Sequence, residues 1–264
     1  MKKLILLIFI STIITLKPIF AKQNLSIVIN GEIQDANGYH IKFDEKNHIL
    51  FPVRWLAEKL NYTICWDNVT KTTTLYNINS NICFKENDRY MYIDDKKIDM
   101  KIPAKIIDER LFIPIINVDE NIIKTRWNDN TNTLYIMDIN RILYENEELG
   151  IGFVTPNGYT NNCYKVLENV VNDKNIVINF FDLENEEVLI FSLSYFDLEY
   201  WNNEVKDTFP IPYSEIFRNN IGILLCVNTS DIQYNINDIE QKKNYLTLLN
   251  LKEKVCNNLY MFTD

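Results

Sequence analysis

The sequence predicts an α+β fold: an N-terminal domain of repeated β-hairpin, short helix and β-hairpin, followed by an antiparallel sheet that a C-terminal helix covers. Three observations predict this class. One segment occurs twice, and each copy ends in a tryptophan (Trp66 or Trp127), a polar turn and a Thr-rich strand. Short apolar runs in the second half are typical of strands. Residues 238–257 carry apolar side chains at helical spacing.

Residues 1–21 have the layout of a secretory signal peptide. Lys2 and Lys3 precede the apolar run 4–16, and residues 19–21 offer a cleavage site. The run is shorter than the roughly 20 residues that a membrane-spanning helix needs. We therefore expect a secreted protein, extracellular or associated with the cell envelope, with no membrane span after processing. An uncleaved anchor is the alternative.

The charge of the chain argues against nucleic acid as a partner. The 264 residues carry a formal net charge of −9, and removal of the signal leaves 24 basic and 36 acidic residues. A negative surface repels phosphate backbones and offers no basic stripe for counterion release. The acidic side chains are expected to form a solvating coat.

Turn and helix signals define the elements of the repeat domain, residues 25–137. Asn30-Gly31 favours a tight hairpin turn because both residues tolerate positive φ, and Asp94-Asp95 marks a second hairpin. A helix is predicted directly after Pro52, with Val53, Leu56, Ala57 and Leu60 on one face. In the second copy this helix decays to residues 117–121, and we expect it to be shorter or frayed.

Trp66 and Trp127 occupy matching positions in the two copies, which favours a place in the core, where a large ring buries much area. A ligand platform is the alternative, because aromatic residues ahead of polar turns can bind sugars or peptides. The turns that follow, 67–70 and 128–131, could hold a cation. Asp and Asn also hydrogen-bond their own backbone in turns, and we prefer that interpretation.

The repeat resembles the copper amine oxidase N-terminal-like domain, or stalk domain, of secreted bacterial proteins. The resemblance rests on the hairpin 29–31, the helix start 51–55, and the Trp-Asp turn 65–67 with the strand that begins at 70–72. It covers about residues 25–137. In the second copy, Ile116 stands where the first has an arginine and Asn128 where it has an aspartate.

The amine oxidase chemistry of that family belongs to a separate catalytic domain, which uses three histidines on copper and a quinone derived from tyrosine. This chain has two histidines, His40 and His48, and lacks the tyrosine motif of that cofactor. We therefore expect neither amine oxidase activity, nor a cofactor, nor a metal site. A site built from the histidine pair is the remote alternative.

Five cysteines remain after processing, at positions 65, 83, 163, 226 and 256. Their spacing matches neither a disulfide framework nor a paired-cysteine zinc site. Several have apolar neighbours, where a free cysteine behaves as a small buried hydrophobe. We expect free thiols, with one disulfide as the main alternative.

The second half, residues 141–264, begins after a seam near 138–140. No linker rich in Pro, Gly or Ser separates the halves, which favours packing between them. Strands are predicted around 144–156, over 176–181, 188–196 and 223–227, and the helix over 238–257 is expected to cover them. The arrangement loosely resembles the PsbP-like α/β sandwich.

The second half shows little sign of catalysis. It contains no histidine, which excludes Ser-His and Cys-His nucleophile pairs within it. Two acid pairs, Glu186 with Glu187 and Asp197 with Glu199, could serve a glycosidase mechanism. Trp201, Tyr200 and Tyr195 are the residues that we expect to contact a ligand, if one binds here.

The sequence thus predicts a secreted, non-catalytic binding or scaffold protein of the cell envelope, whose partner is a cell-wall polymer or a surface protein. The alternative is a carboxylate-dependent hydrolase that acts on cell-wall glycans. The sequence leaves the oligomeric state open.

Overall fold

The computed structural model describes residues 25–35, 41–77, 80–115, 122–159, 163–209, 212–227, 234–235 and 237–262. The predicted signal peptide, the predicted second-copy helix over 117–121, and His40 lie outside these residues. Among the described residues, no helix is both long and apolar enough to cross a bilayer.

The repeat half consists of short strands and one helix. In chain order these are β1 Ser26–Ile29, β2 Glu32–Gln34, β3 Lys42–Phe43, β4 Ile49–Pro52, α1 Val53–Lys59, β5 Thr63–Asp67, β6 Thr72–Tyr76, β7 Asn81–Lys85, β8 Tyr90–Ile93, β9 Lys96–Asp99, β10 Lys105–Ile107, β11 Arg110–Pro114, β12 Ile123–Asn128 and β13 Thr133–Asp138.

The second half combines longer strands with a long C-terminal helix. Its elements are β14 Ile142–Asn146, β15 Ile151–Val154, β16 Tyr164–Asn172, β17 Asn175–Asp182, β18 Leu189–Asp197, α2 Leu198–Tyr200, β19 Tyr213–Arg218, β20 Gly222–Val227, α3 Ile239–Asn257 and β21 Leu259–Met261. A 3₁₀ turn, Ile139–Arg141, joins the halves, and a π-helical turn, Trp201–Val205, follows α2.

The described strands form five sheets. In the repeat half these are the closing sheet β12-β13-β1-β2, the inner sheet β10-β11-β4-β3 and the meander sheet β5 to β9; in the second half they are the large sheet β16-β17-β18-β20-β19 and the small sheet β14-β15-β21. Nearly all neighbours are antiparallel. The exception is β1 with β13, where the first strand of the repeat half lies parallel to its last.

The predicted hairpin turns are confirmed by their backbone angles. Asn30 and Gly31 have φ of 49° and 83°, and Asp94 and Asp95 have φ of 45° and 69°. Two successive residues with positive φ are the signature of a turn that matches the strand twist. Residues 108 and 109 form a third turn of this kind, between β10 and β11, which no turn signal in the sequence predicted.

Helix α1 begins directly after Pro52, as predicted. Proline suits a helix start because its φ is fixed and it has no N–H to leave unsatisfied. Val53, Leu56 and Ala57 are buried on the inner face, and Leu60 is buried just past the end of the helix. They join one core cluster that all three sheets of the repeat half share.

The C-terminal helix α3 covers the large sheet, and the α+β prediction is broadly confirmed. Asp238 caps the helix by accepting backbone N–H bonds from positions 240 and 241, both at 3.0 Å. Tyr245, Leu248 and Val255 pack into the core of the second half. Strands β16, β19 and β21 have no counterpart among the predicted strands, and the strand predicted around 144–156 is two strands, β14 and β15.

The two halves meet through a small apolar cluster, and the prediction that they pack against each other is confirmed. Val28, Tyr135 and Met137 of the closing sheet pack against Val154 of the small sheet and Tyr260 of β21, together with Phe262. Strand β21 follows α3 directly, so the chain returns to the seam between the halves at its C-terminal end.

Candidate binding groove

A groove lies in the repeat half where α1 and two hairpins converge. The start of α1 contributes residues 52–55 and Glu58, the β5–β6 hairpin contributes Ile64, Trp66 and Thr73, and the β10–β11 hairpin contributes Ile106 and residues 109–111. The groove holds about 620 Å³. This volume lies within the ~300–1,000 Å³ typical of ligand pockets.

Trp66 lies in this groove rather than in the core, so the core prediction for it is wrong. Its side chain faces the same side of the meander sheet as the buried residues Thr73, Phe84 and Met91, which follow it across successive strands. Strand β5 is an edge strand, however, so no further strand of this sheet lies beside it among the described residues. Trp66 is therefore 38% exposed.

Trp127, its counterpart in the second copy, is half-buried and packs against the core cluster. Its indole Nε1 donates to Oδ1 of Asp129 at 2.5 Å. The matching positions of the two tryptophans therefore give different environments. The prediction that Trp127 lies in the core is correct only in part, because its side chain is half-buried.

The polar side chains in the turns after the two tryptophans hydrogen-bond to their own backbone, as the turn interpretation predicts. Asp67 accepts the N–H of Val69 and the hydroxyl of Thr70, each at 2.8 Å. The Thr70 hydroxyl is the main reason why the pKa of Asp67 is lowered. Asn128 accepts the N–H groups of positions 130 and 131.

Four charged side chains form the rim of the groove. Arg54 and Glu58 lie one turn apart on the outer face of α1, and Glu109 and Arg110 lie at the β10–β11 turn. All four are exposed, and none is ion-paired with another described residue. The guanidinium groups are therefore available to a ligand that carries carboxylates, since arginine binds them in a two-pronged fashion.

His48, the histidine that the structure describes, pairs with an aspartate. His48 Nδ1 lies 2.8 Å from Oδ2 of Asp44 on a surface loop, and this bond is the largest cause that lowers the pKa of Asp44 to about 2. Within the described ranges, no group of three or more His, Cys, Asp or Glu side chains could hold a metal ion.

The two acid pairs of the second half have different settings. Glu186 is exposed and ion-paired with Lys165. Asp197 and Glu199 line one cleft of about 550 Å³ together with three asparagines. Oδ1 of Asp197 also accepts the N–H of Tyr200 at 2.9 Å and so caps the start of α2.

The three predicted ligand-contact aromatics do not share a surface. Trp201 is fully buried, and its ring centroid lies 5.2 Å from that of Phe196. Tyr200 is half-buried at the margin of the same cluster. Tyr195 lies on the opposite face of β18 and contacts the core under α3. Trp201 thus offers no surface to a ligand here, and contact by Tyr200 or Tyr195 stays a prediction.

The five cysteines are free thiols in the structure, but their burial differs. Cys226 and Cys256 are buried, as the apolar surroundings of Cys226 predict. Cys65 is exposed, so the expectation that its apolar neighbours bury it is wrong. Its side chain points to the opposite face of β5 from Ile64 and Trp66, and that face is open to solvent.

Comparison with known proteins adds one match. No curated protein matches the chain. The family match stops before the second half, and nothing supports the PsbP resemblance for that half. Residues 28–136 match the family model of the copper amine oxidase N-terminal domain.

Proposed function

We propose that this protein is a secreted, non-catalytic binding protein of the cell envelope and that the groove of its repeat half holds a cell-wall polymer. The observation that carries the proposal is the exposed ring of Trp66 in a groove whose rim bears two arginines, Arg54 and Arg110, that form no ion pair within the described part of the chain. The predicted signal peptide supports the extracellular location.

The chemistry of the groove suits a glycan that carries carboxylates. A sugar ring can lie on an indole face, which is large, rigid and apolar with a polar edge. Arg54 and Arg110 would bind carboxylates on the polymer, and the Glu58 and Glu109 carboxylates would accept hydrogen bonds from sugar hydroxyls. A surface protein as the partner is the competing outcome.

A sedimentation assay with isolated cell-wall material tests the proposal. Trp66→Ala and Arg110→Ala should each weaken binding by about tenfold, which corresponds to about 1.4 kcal/mol. Tyr92→Ala is the matched control, because Tyr92 is also exposed on the meander sheet but faces its other side. Equal binding by all variants, or capture of envelope proteins without wall polymer, would contradict the proposal.

Fractionation of the producing cells tests the location separately. The proposal requires a processed chain outside the plasma membrane. An unprocessed chain confined to the cytoplasm would overturn it, whatever the purified protein binds.

The second candidate function is a carboxylate-dependent hydrolase of wall glycans, and the cleft shared by Asp197 and Glu199 favours it. Release of reducing ends from wall glycan, lost in both Asp197→Asn and Glu199→Gln, would support it. Asp197 also caps α2, but asparagine keeps the accepting oxygen, so Asp197→Asn and Glu199→Gln should both leave the fold intact.

A further inference from the structure

Charges of both signs lie together on two of the elements that line the groove. Helix α1 contributes Arg54 and Glu58, and the β10–β11 hairpin contributes Glu109 and Arg110. All four side chains are exposed, and none forms an ion pair within the described part of the chain. The two positive and two negative formal charges cancel, so the charge of this rim sums to zero.

The spacing of these charges suits a ligand that carries an ammonium group close to a carboxylate. Arg54 and Glu58 are four residues apart in α1, which places their Cβ atoms about 5–6 Å from each other. Glu109 and Arg110 are neighbours in the chain. Each element therefore presents one cation and one anion close together, and a dipolar ligand can pair with both.

A ligand that carries only carboxylates fits this rim less well. Its carboxylates would be attracted to the arginines but repelled by the neighbouring glutamates, and juxtaposed like charges lower affinity. The formal net charge of −9 repels a polyanion at longer range as well. An added ammonium group offsets both effects. It pairs with a glutamate in a charge-assisted hydrogen bond, which is stronger than a bond from a neutral hydroxyl.

The ring of Trp66 and the strand that carries it add two features that suit a peptide. The exposed indole face attracts an ammonium group, and tryptophan is the best of the aromatic residues for this contact. Strand β5 is the edge of the meander sheet, and no described strand pairs with its outer side. The backbone N–H and C=O groups of an edge strand can hydrogen-bond to an extended peptide. A peptide thus matches the groove in its backbone and in its charges.

We propose that the unit held in the groove is a short peptide branch of the wall polymer that carries both a free ammonium group and a carboxylate. The carboxylate binds Arg54 or Arg110, and the ammonium group binds Glu58 or Glu109. This inference rests on the proposed function, because it names the part of the polymer that the groove holds. A glycan strand with carboxylates but no amine is the competing outcome.

Acetylation of isolated cell-wall material tests the inference, because it neutralises free amines and leaves the carboxylates and the glycan unchanged. In a sedimentation assay, acetylated wall should bind the full chain at least about tenfold more weakly than untreated wall does. Equal binding to both materials would overturn the inference and leave the proposed function standing. Absence of binding to untreated wall would overturn both.

An amidase that cuts peptide branches from the glycan separates the two parts of the polymer. The released peptides should compete with untreated wall for the protein, and the stripped glycan should not. Competition by the stripped glycan alone would overturn the inference, although the groove would still bind wall polymer.

Glutamine variants connect the amine to the glutamates of the rim. Glu58→Gln and Glu109→Gln should each weaken binding to untreated wall by about three- to tenfold, and acetylation should cost these variants less than it costs the wild type, because contacting groups are not additive. Glu45→Gln is the matched control, since Glu45 is also an exposed glutamate of the repeat half but does not line the groove.

The same variants separate an ammonium contact from a contact with sugar hydroxyls. All three glutamates are exposed, so each variant should keep the wild-type Tm. If Glu58 and Glu109 accepted only from hydroxyls, acetylation would weaken the variants and the wild type by the same factor. That result would overturn the inference.

Discussion

Arg126 on β12 donates from Nε to Oε1 of Glu145 on β14 over 2.6 Å, and this bond joins the repeat half to the second half. The Glu145 carboxylate is 8% exposed and also accepts from Lys124 Nζ at 2.8 Å and from the Tyr260 hydroxyl at 3.0 Å. Arg126 lies 4.7 Å from the ring centre of Phe262. One buried carboxylate thus gathers partners from both halves.

Glu145→Gln should lower the free energy of unfolding by about 2–4 kcal/mol, because it leaves the partly buried Lys124 without its counter-charge and Arg126 with only the exposed Glu147. Glu147→Gln is the matched control. Glu147 pairs with the same arginine at 2.7 Å but is 70% exposed, so its loss should cost under about 1 kcal/mol. Urea unfolding measures both. Equal losses of unfolding free energy in the two variants would show that the burial of Glu145 does not strengthen its ion pairs.

Gly31→Ala should destabilise the contact between the first hairpin and the end of α3. Gly31 has φ of +83°, and an added Cβ would lie 2.7 Å from Cγ of Asn258. Gly158→Ala is the control, because Gly158 has φ of +85° and open space around it. Both substitutions should lower the free energy of unfolding by about 1 kcal/mol because alanine is strained at positive φ. Gly31→Ala should lower it by at least about 1 kcal/mol more because of the clash with Asn258. In an Asn258→Gly background, the extra destabilisation of Gly31→Ala over Gly158→Ala should become smaller, because the clashing side chain is gone.

Glu109→Gly should stabilise the protein by about 0.5–1 kcal/mol. Glu109 has φ of +63° in the turn between β10 and β11, where a side chain is strained and glycine is not. Glu109→Ala keeps the strain and should bring no gain. Differential scanning calorimetry compares the two, and a gain of the same size in Glu109→Ala would show that the charge matters, not the backbone.

The Asp99 carboxyl should titrate near pH 2. Its hydrogen bond from Arg89 is the largest cause that lowers its pKa from 3.8 to about 2. Because the folded pKa is depressed, the stability that this pair adds is fully present above pH ~3.8 and is lost as the pH falls through about 2. NMR of the side-chain carboxyl measures the titration. In Arg89→Gln the midpoint should rise towards 3.8, whereas Arg110→Gln should leave it unchanged.

The sequence predicted elements that local chemistry determines. Asn30-Gly31 specifies its own turn, and Asp238 with the apolar spacing after it specifies α3. The prediction that Trp66 lies in the core was wrong because the exposure of Trp66 depends on β5 being an edge strand. Only the order of the strands in the sheet decides this. The burial of Trp201 likewise depends on Phe196 and Ile223, which are distant in the chain or on another element.

The candidate site was harder to predict than the fold. Its rim joins Arg54 to Arg110 across more than fifty residues, and only Arg54 belongs to a motif of the repeat. The matching tryptophans suggested equal roles, but the two copies of the repeat meet different neighbours. Repetition in a sequence therefore predicts a similar backbone, while the surroundings of each copy decide which side chain faces solvent.

The parallel pairing of β1 with β13 has a mechanical consequence. Four residue pairs, from Ser26 opposite Thr133 to Ile29 opposite Ile136, hold the two strands side by side. Tension applied between the start of β1 and the end of β13 would slide the strands along each other. The hydrogen bonds between them would then bear the load together, and the repeat half would resist extension as a sheared clamp instead of opening one bond at a time.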